Sequence, residues 1–147
     1  MAANKVGERG TPLQCAVPTN SGIKSGDPVL LGTAGLAMVA NESDGDTTRP
    51  STGIVSFDVE GIFNLSVVAK TGLSPSVNSA VNPGDTIYAD GGTLDTNTGI
   101  KTGFTLDKNS GGSVFGTAVS ITGGTGPLIA GGSTAVIAVR LKEAALN

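Results

Sequence analysis

The stretch "VSFDVEGIFNLSV" (Val55–Val67) is the clearest periodic signal in the chain. Its odd-numbered positions are apolar apart from Gly61, and its even-numbered positions are polar apart from Ile62. Alternation with a period of two is typical of a β-strand with one buried face. The pattern therefore predicts that Phe57 and Phe63 are core residues and that the even-numbered side chains largely face solvent.

The same stretch is longer than most strands, so it is expected to bend. Gly61 interrupts the apolar positions and predicts a bend or bulge, as at a barrel corner. A two-residue hairpin there would place Phe57 opposite Asn64 and mismatch the two faces. A three-residue loop at Glu60–Ile62 would preserve the faces, and that hairpin is an alternative to a bent strand.

The composition of the whole chain also favours short strands joined by turns. The chain has 147 residues, which is one domain or one domain with an arm. Glycine accounts for 23 residues, and the aromatic residues are four Phe and one Tyr. Glycine inside a helix costs about 1 kcal/mol relative to alanine, so long helices are not expected. The apolar residues are mostly aliphatic and are sufficient for a core.

Two stretches, "SGDPVLLG" (Ser25–Gly32) and "PGDTIYAD" (Pro83–Asp90), repeat one pattern, in which a Gly-Asp step precedes an apolar run. Gly and Asp both favour turns, and the apolar runs have the length and composition of strands. We therefore interpret Gly26-Asp27 and Gly84-Asp85 as one architectural device used twice, a turn that begins a strand.

Further short strands are predicted at "LAMVA", "VFGTAVSIT" and "STAVIAVRL", and Gly91-Gly92 is predicted to be a hairpin turn after "TIYAD". About eight to ten short strands with closely spaced turns indicate an all-β fold. The expected architecture is a small, β-tulip-like β-barrel or β-sandwich.

The first 20 residues are predicted to be an extended N-terminal arm, with the β domain spanning residues 21–147. Two prolines bracket "LQCAV", which is one possible edge strand. Alone, the arm could not offset an ordering entropy of ~1–2 kcal/mol per residue. We therefore expect a neighbouring subunit to order it through the residues Leu13, Gln14, Cys15, Ala16 and Val17. Deleting residues 2–18 is then expected to leave the domain folded.

The residues favour few kinds of catalytic chemistry. The chain has no histidine, which removes the usual general base and the commonest metal ligand. Asp27 and Asp85 could form a carboxylate pair for hydrolysis, but their identical turn contexts favour a structural role. Cys15 is expected to be a small packing residue. We predict no catalytic residue, cofactor or metal site.

The acidic loop "NESDGD" gathers Glu42, Asp44 and Asp46. Carboxylates can bind calcium, but the loop lacks the terminal bidentate Glu of a calcium loop, so a solvated acidic loop is the favoured interpretation. Nine Lys and Arg residues stand against twelve Asp and Glu, with no basic run, so no nucleic-acid partner is expected.

The chain begins with a polar stretch, and no run approaches the ~18 apolar residues of a membrane helix. We therefore expect synthesis in a cell's cytoplasm and no membrane partner.

The order of these blocks resembles a family of small tailed-phage head proteins, formerly a domain of unknown function. The opening "GIKSGDPVLLGTAGLAMVA", the central "VSFDVEGIFNLSV", and the later "VNPGDTIYADGGTLDT", "FGTAV" and "AVIAVRL" follow in the same order as in that family. The resemblance covers nearly the whole chain, and the segment 70–82 and the stretch "KNSGGS" match least well.

The resemblance implies a bacteriophage capsid decoration, or cement, protein, similar in role to the head decoration protein of lambdoid phages. Such a protein binds the outer surface of the expanded icosahedral capsid of the virion, commonly as a homotrimer at three-fold and quasi-three-fold positions. It holds neighbouring major capsid protein subunits together against the pressure of packaged DNA. The family supplies no catalytic residues to carry over.

Three other functions are alternatives. Another virion structural β protein, from a tail tube or a fibre base, is the first, although a fibre would usually show repeats of fixed period. A hydrolase built on Asp27 and Asp85 is the second. A carbohydrate-binding module is the third, and it is disfavoured because Tyr88 is the only Tyr and the chain has no Trp to stack on sugars.

Overall fold

The protein is an all-β chain in which ten strands form one antiparallel sheet. The computed structural model describes residues 5–6, 12–33, 35–45, 53–72 and 75–143. Among these residues, no helix is long and apolar enough to cross a membrane. The strands are β1 (Lys5–Val6), β2 (Leu13–Ala16), β3 (Pro28–Leu31), β4 (Leu36–Ala40), β5 (Ile54–Asp58), β6 (Ile62–Val68), β7 (Thr86–Leu94), β8 (Ile100–Asp107), β9 (Ser113–Val119) and β10 (Thr134–Leu141).

The order of strands across the sheet is β1-β6-β10-β9-β7-β8-β3-β4-β5-β2. The sheet curls, because β5 and β6 lie near its opposite ends yet are joined by only three residues, which span no more than roughly 15 Å. Within the described ranges no strand pairing joins the two ends, so the sheet is curled but not closed. The all-β prediction is confirmed, and a fully hydrogen-bonded barrel is not formed.

Gly61 lies at the corner between β5 and β6, with a φ of 121°. The strand β5 pairs with β4 and β2, whereas β6 pairs with β1 and β10. The two halves of the long alternating stretch are therefore not a hairpin, and the three-residue hairpin alternative is wrong. The predicted bend is confirmed, and it is sharp enough to send the chain from one end of the sheet to the other.

The corner also divides the core into two clusters. Phe63 lies in the larger one, inside the curl, with residues of β3, β4 and β6 to β10. Phe57 lies in a second cluster, where the other face of β3, β4 and β5 packs against Val17 and Ile23. Both phenylalanines are fully buried, as predicted. The expectation that even-numbered side chains face solvent fails at Asp58, which is 1% exposed at the end of β5.

The N-terminal segment belongs to the sheet of its own chain. In β2, Leu13 pairs with Phe57 and Ala16 pairs with Ile54 of β5. Val17 donates its N–H to Gly53 O at 2.9 Å and is 5% exposed within the second cluster. The predicted strand is present and pairs within its own chain, through the ladder with β5 and the burial of Val17. The contact of this segment with a neighbouring subunit stays a prediction.

The two N-terminal strands pair with the strands nearest the two ends of the sheet. Strand β2 pairs with β5, and β1 pairs with β6 through Lys5 opposite Phe63 and Val6 opposite Ile62. Because β5 and β6 are consecutive in the chain, one short N-terminal segment reaches both of them. Deleting residues 2–18 would therefore uncover both strands and remove part of a core, contrary to the sequence-based expectation.

Replacing Phe57 or Phe63 by alanine should destabilise the protein by about 3–5 kcal/mol, because each change leaves a cavity in a core. Val136→Ala is the control, since Val136 is 66% exposed, and it should cost less than ~0.5 kcal/mol. Urea unfolding of the three variants measures the differences. A cost below ~1 kcal/mol for both phenylalanines would contradict the two-cluster description.

Val17→Ala should destabilise the chain by about 1–3 kcal/mol, because it removes buried methyl groups from the second cluster. Leu13→Ala, in the same segment but 37% exposed, should cost clearly less. Thermal melting of the two variants compares them directly. Equal and negligible effects would show that the segment is a passive tail.

Candidate functional site

The two predicted Gly-Asp turns have the same geometry. In the first, Asp27 N donates to Lys24 O at 2.9 Å, and Lys24 N donates to Asp27 Oδ2 at 2.9 Å. In the second, Asp85 N donates to Asn82 O at 3.1 Å, and Asn82 N donates to Asp85 Oδ2 at 2.8 Å. Each glycine has a positive φ, 95° at Gly26 and 93° at Gly84, as the third residue of such a turn requires.

Each turn is also bound to the backbone of one buried alanine in a neighbouring strand. Gly26 N donates to Ala40 O at 2.7 Å, and Ala40 N donates to Asp27 O at 2.9 Å. In the second turn, Gly84 and Asp85 make the same two bonds with Ala118, both at 2.8 Å. The interpretation of Gly-Asp as one architectural device used twice agrees with these bonds.

A third copy of the device precedes β10, and the sequence pattern did not reveal it. Ser133 N donates to Ala130 O at 3.0 Å, Gly132 N donates to Ala69 O at 2.8 Å, and Ala69 N donates to Ser133 O at 2.9 Å. Gly132 has a φ of 86°. Serine replaces aspartate here, so a search for Gly-Asp could not find it. All three turns share one sequence pattern: a glycine with a positive φ is followed by a polar residue and then by an apolar run.

The structure does not bring Asp27 and Asp85 together as a catalytic pair. Both lie next to strands that flank β8, where Leu30 pairs with Lys101 and Tyr88 pairs with Asp107. Their carboxylates also have different partners: Asp27 Oδ2 accepts the Lys24 N–H, whereas Asp85 Oδ2 accepts the Asn82 N–H and lies 3.0 Å from Lys108 Nζ. Each carboxylate therefore serves its own turn.

Two adjoining clefts lie beside the first turn, with volumes of about 300 and 460 Å³. Both are lined by Asp27, Pro28 and Phe104, and the larger also meets β6 at Asn64 and Ser66. Asp27 is the only titratable side chain among their described lining residues, and its Oδ2 already accepts the Lys24 N–H. The clefts therefore offer surface for contact but no acid–base pair.

The acidic loop is bound both to β5 and to the segment before β3. Glu42 Oε1 accepts the Ser56 N–H at 3.0 Å, and Asp44 Oδ2 accepts the Ser21 hydroxyl at 2.8 Å. Asp46 lies outside the described residues. Within the part of the chain that the structure describes, no three Asp, Glu, His or Cys side chains come together to hold a metal ion.

Cys15 is half-buried against the second cluster, and burial raises the pKa of its thiol. A thiol with a raised pKa is a poor nucleophile at neutral pH. The contact residues predicted in this segment divide into two groups: Leu13, Gln14 and Ala16 are exposed, whereas Val17 is buried in its own core.

The sequence analysis missed a pair of carboxylates on the outer face of the sheet. Asp107, at the end of β8, is fully buried and lies diagonally across from Asp90 on β7. Asn109 bridges them, because its N–H donates to Asp107 Oδ1 at 2.8 Å and its Nδ2 donates to Asp90 Oδ2 at 3.0 Å. Burial, opposed by the Asn109 N–H and reinforced by Asp90, raises the pKa of Asp107 to about 6.

Lys108, the residue after Asp107, directs its ammonium group away from the carboxylate pair and toward the second Gly-Asp turn. Its Nζ lies 3.0 Å from Asp85 Oδ2 and donates to Ala80 O at 2.8 Å and Ser79 Oγ at 3.1 Å. Burial acts to raise the pKa of Asp85, but the Asn82 N–H and the Lys108 ammonium outweigh it and hold the pKa below its ordinary value. The second Gly-Asp turn is thereby linked to the β8–β9 turn.

Comparisons with known proteins add no relative: no family model, no curated protein and no solved structure matches this chain.

Replacing Gly84 by alanine should destabilise the protein by about 1–2 kcal/mol, because an alanine there must adopt a positive φ. An added Cβ at Gly84 would meet nothing within 4 Å, so the cost is conformational rather than steric. Gly126→Ala is the matched control, since its Cβ also meets nothing and its φ is not positive. Denaturant unfolding that gave both variants equal stability would contradict the turn geometry.

Proposed function

We propose that this chain is a capsid decoration protein, which binds the exterior of an expanded phage head and holds neighbouring major capsid subunits together. The order of sequence blocks that resembles the phage head family is the main support for the proposal. The all-β fold is compatible with a rigid knob on a capsid surface. Asp27 and Asp85 each bond within their own turn, which favours a structural role for both over the hydrolase alternative.

The observation that supports a particular contact is the position of β2. Among the described strands, β2 is the last of its sheet and pairs only with β5. An edge strand offers unpaired backbone groups to an incoming strand. Two exposed apolar side chains lie beside this edge, Leu13 at 37% and Ile54 at 48% exposure.

The mechanism we propose therefore differs from the sequence-based expectation, in which the N-terminal arm leaves its own domain to pair with a neighbour. Strand β2 stays paired with β5 and accepts an extended segment of a neighbouring capsid or decoration subunit. Leu13, Gln14 and Ala16 are the contact residues, and Val17 anchors the strand from within. Three copies in a homotrimer would multiply modest contacts through avidity.

Leu13→Lys should weaken binding to expanded, undecorated heads of the phage that encodes this chain by about tenfold or more, because it places a charge in the proposed contact. The measurement is co-sedimentation of the purified protein with heads over a range of concentrations. Val136→Lys makes the same change on β10, away from β2, and should bind like the wild type. Melting temperatures of both variants confirm that each is folded.

Two results would contradict this account at different levels. If the wild-type protein does not sediment with expanded heads, the decoration function is wrong. If it binds but Leu13→Lys binds equally well, the function stands and β2 is not the contact. Image reconstruction of decorated heads would test the trimer, and isolated single copies away from any three-fold position would refute it.

A further inference from the structure

The buried carboxylate of Asp107 needs a donor that the surrounding protein does not supply. Its Oδ1 accepts the Asn109 N–H, but its Oδ2 has no hydrogen-bond partner among the described groups. A buried carboxylate oxygen without a partner is costly. The acidic group that interacts with it is Asp90, whose own Oδ2 accepts from Asn109 Nδ2.

We propose that Asp90 and Asp107 hold one proton between them and form a pH-sensitive clasp that fastens the β8–β9 turn to β7. A proton on one carboxyl makes it a donor to the other, which satisfies the orphaned oxygen and removes the repulsion between two charges. Two carboxylates that share a site commonly ionise in two separated steps for this reason. The raised pKa of Asp107 agrees with this geometry.

The other groups around the pair do not replace the proton. Tyr88 lies opposite Asp107 on β7, and the neighbouring Lys108 is held by Asp85, Ser79 and Ala80. Lys70, which lies just after β6, accepts the Lys108 N–H through its carbonyl at 2.9 Å. The strand β9 contributes the uncharged Ser113 and Val114 opposite β7.

The protonation state of the clasp affects more than two side chains, because Asn109 also forms hydrogen bonds within the β8–β9 turn. Asn109 Oδ1 accepts the Gly111 N–H at 3.1 Å, and Asn109 O accepts the Gly112 N–H at 2.9 Å. Lys108 ties the same turn to the segment at Ser79 and Ala80. Losing the proton places two negative charges against Asn109, so the turn and that segment should loosen together above about pH 6.

The direction of the pH effect follows from proton linkage. An unfolded Asp has a pKa of about 3.9, so the folded pair binds more protons than the unfolded chain between roughly pH 4 and pH 6. The stabilisation is fully present below that range and is lost as pH rises through it. Asp85 has the opposite behaviour, because its lowered pKa gives a stabilisation that is present above about pH 4 and is lost as pH falls below that value. The two contributions are therefore separable.

The test is urea unfolding of the full chain from pH 4.5 to 7.5, with Asp107→Asn and Asp95→Asn as variants. In the wild type, the unfolding equilibrium constant should rise roughly fivefold to tenfold between pH 5 and pH 7. Asp107→Asn keeps the acceptor for the Asn109 N–H and offers an amide donor to Asp90, so this rise should disappear. Asp95→Asn removes a carboxylate from the same β7–β8 hairpin without touching the pair, and it should retain the rise.

Amide hydrogen exchange locates the effect. After correction for intrinsic rates, the amides of Asn109, Gly111 and Gly112 should lose protection between pH 5.5 and 7.5 in the wild type and not in Asp107→Asn. The proposal is overturned if the wild type shows no rise, or if Asp107→Asn shows the same rise. It is also overturned if calcium stabilises the wild type at pH 7 and not the variant, because the pair would then be a cation site.

Discussion

The rest of the fold depends on one backbone arrangement, in which a glycine turn is bound to a buried alanine that lies in the neighbouring strand or directly after it. The arrangement occurs at Ala40, Ala118 and Ala69, and all three alanines are completely buried. In each case the first residue of the strand that follows the turn pairs with the residue just before the alanine. The pairs are Pro28 with Val39, Thr86 with Thr117 and Thr134 with Val68. The two hydrogen bonds therefore set the register of a strand pair. A slip of one residue would move every side chain of a strand to the opposite face and disrupt the two clusters, so the register must be fixed strongly.

The curl of the sheet has a second consequence, because it brings the strands near its two ends close together. The N-terminal segment pairs with both, through β1 on β6 and β2 on β5. Uncovered edges promote association between sheets, and natural β proteins commonly cover them. The segment covers β5 with β2 and the start of β6 with β1, and the edge of β2 is the one that the decoration proposal uses. Within this segment Val17 is buried in the protein's own core, whereas Leu13, Gln14 and Ala16 are exposed.

Local features were predictable because neighbouring residues determine them. The alternation from Val55 to Val67, the glycine bend and the Gly-Asp turns follow from side-chain period and turn chemistry alone. Features that depend on distant pairing were not predictable. Gly91 and Gly92 were expected to form a hairpin turn, but both lie within β7, and the turn falls at Asp95–Gly99.

Side-chain bonds at Asp95 and backbone packing at Gly92 explain why the hairpin turn was predicted at the wrong place. Asp95 Oδ2 accepts the Thr98 N–H at 3.0 Å and the Thr98 hydroxyl at 2.7 Å, which closes the real turn. Gly92 is needed instead because an added Cβ would lie 2.7 Å from Thr102 O on β8. The carboxylate pair was missed for a similar reason, since Asp90 and Asp107 are separated in sequence and meet only through the register of β7 and β8. The contact of the N-terminal segment with a neighbour remains a prediction.

Amide hydrogen exchange at the three turns tests the central claim most directly. The relevant amides are those of Gly26, Gly84 and Gly132 and of their partners Ala40, Ala118 and Ala69. If the three arrangements set the registers of the sheet, all six amides should exchange only when the whole domain unfolds, with the same free energy of opening as the core strands. Exchange of any glycine–alanine pair at the rate of an exposed turn, while the core strands stay protected, would contradict that claim.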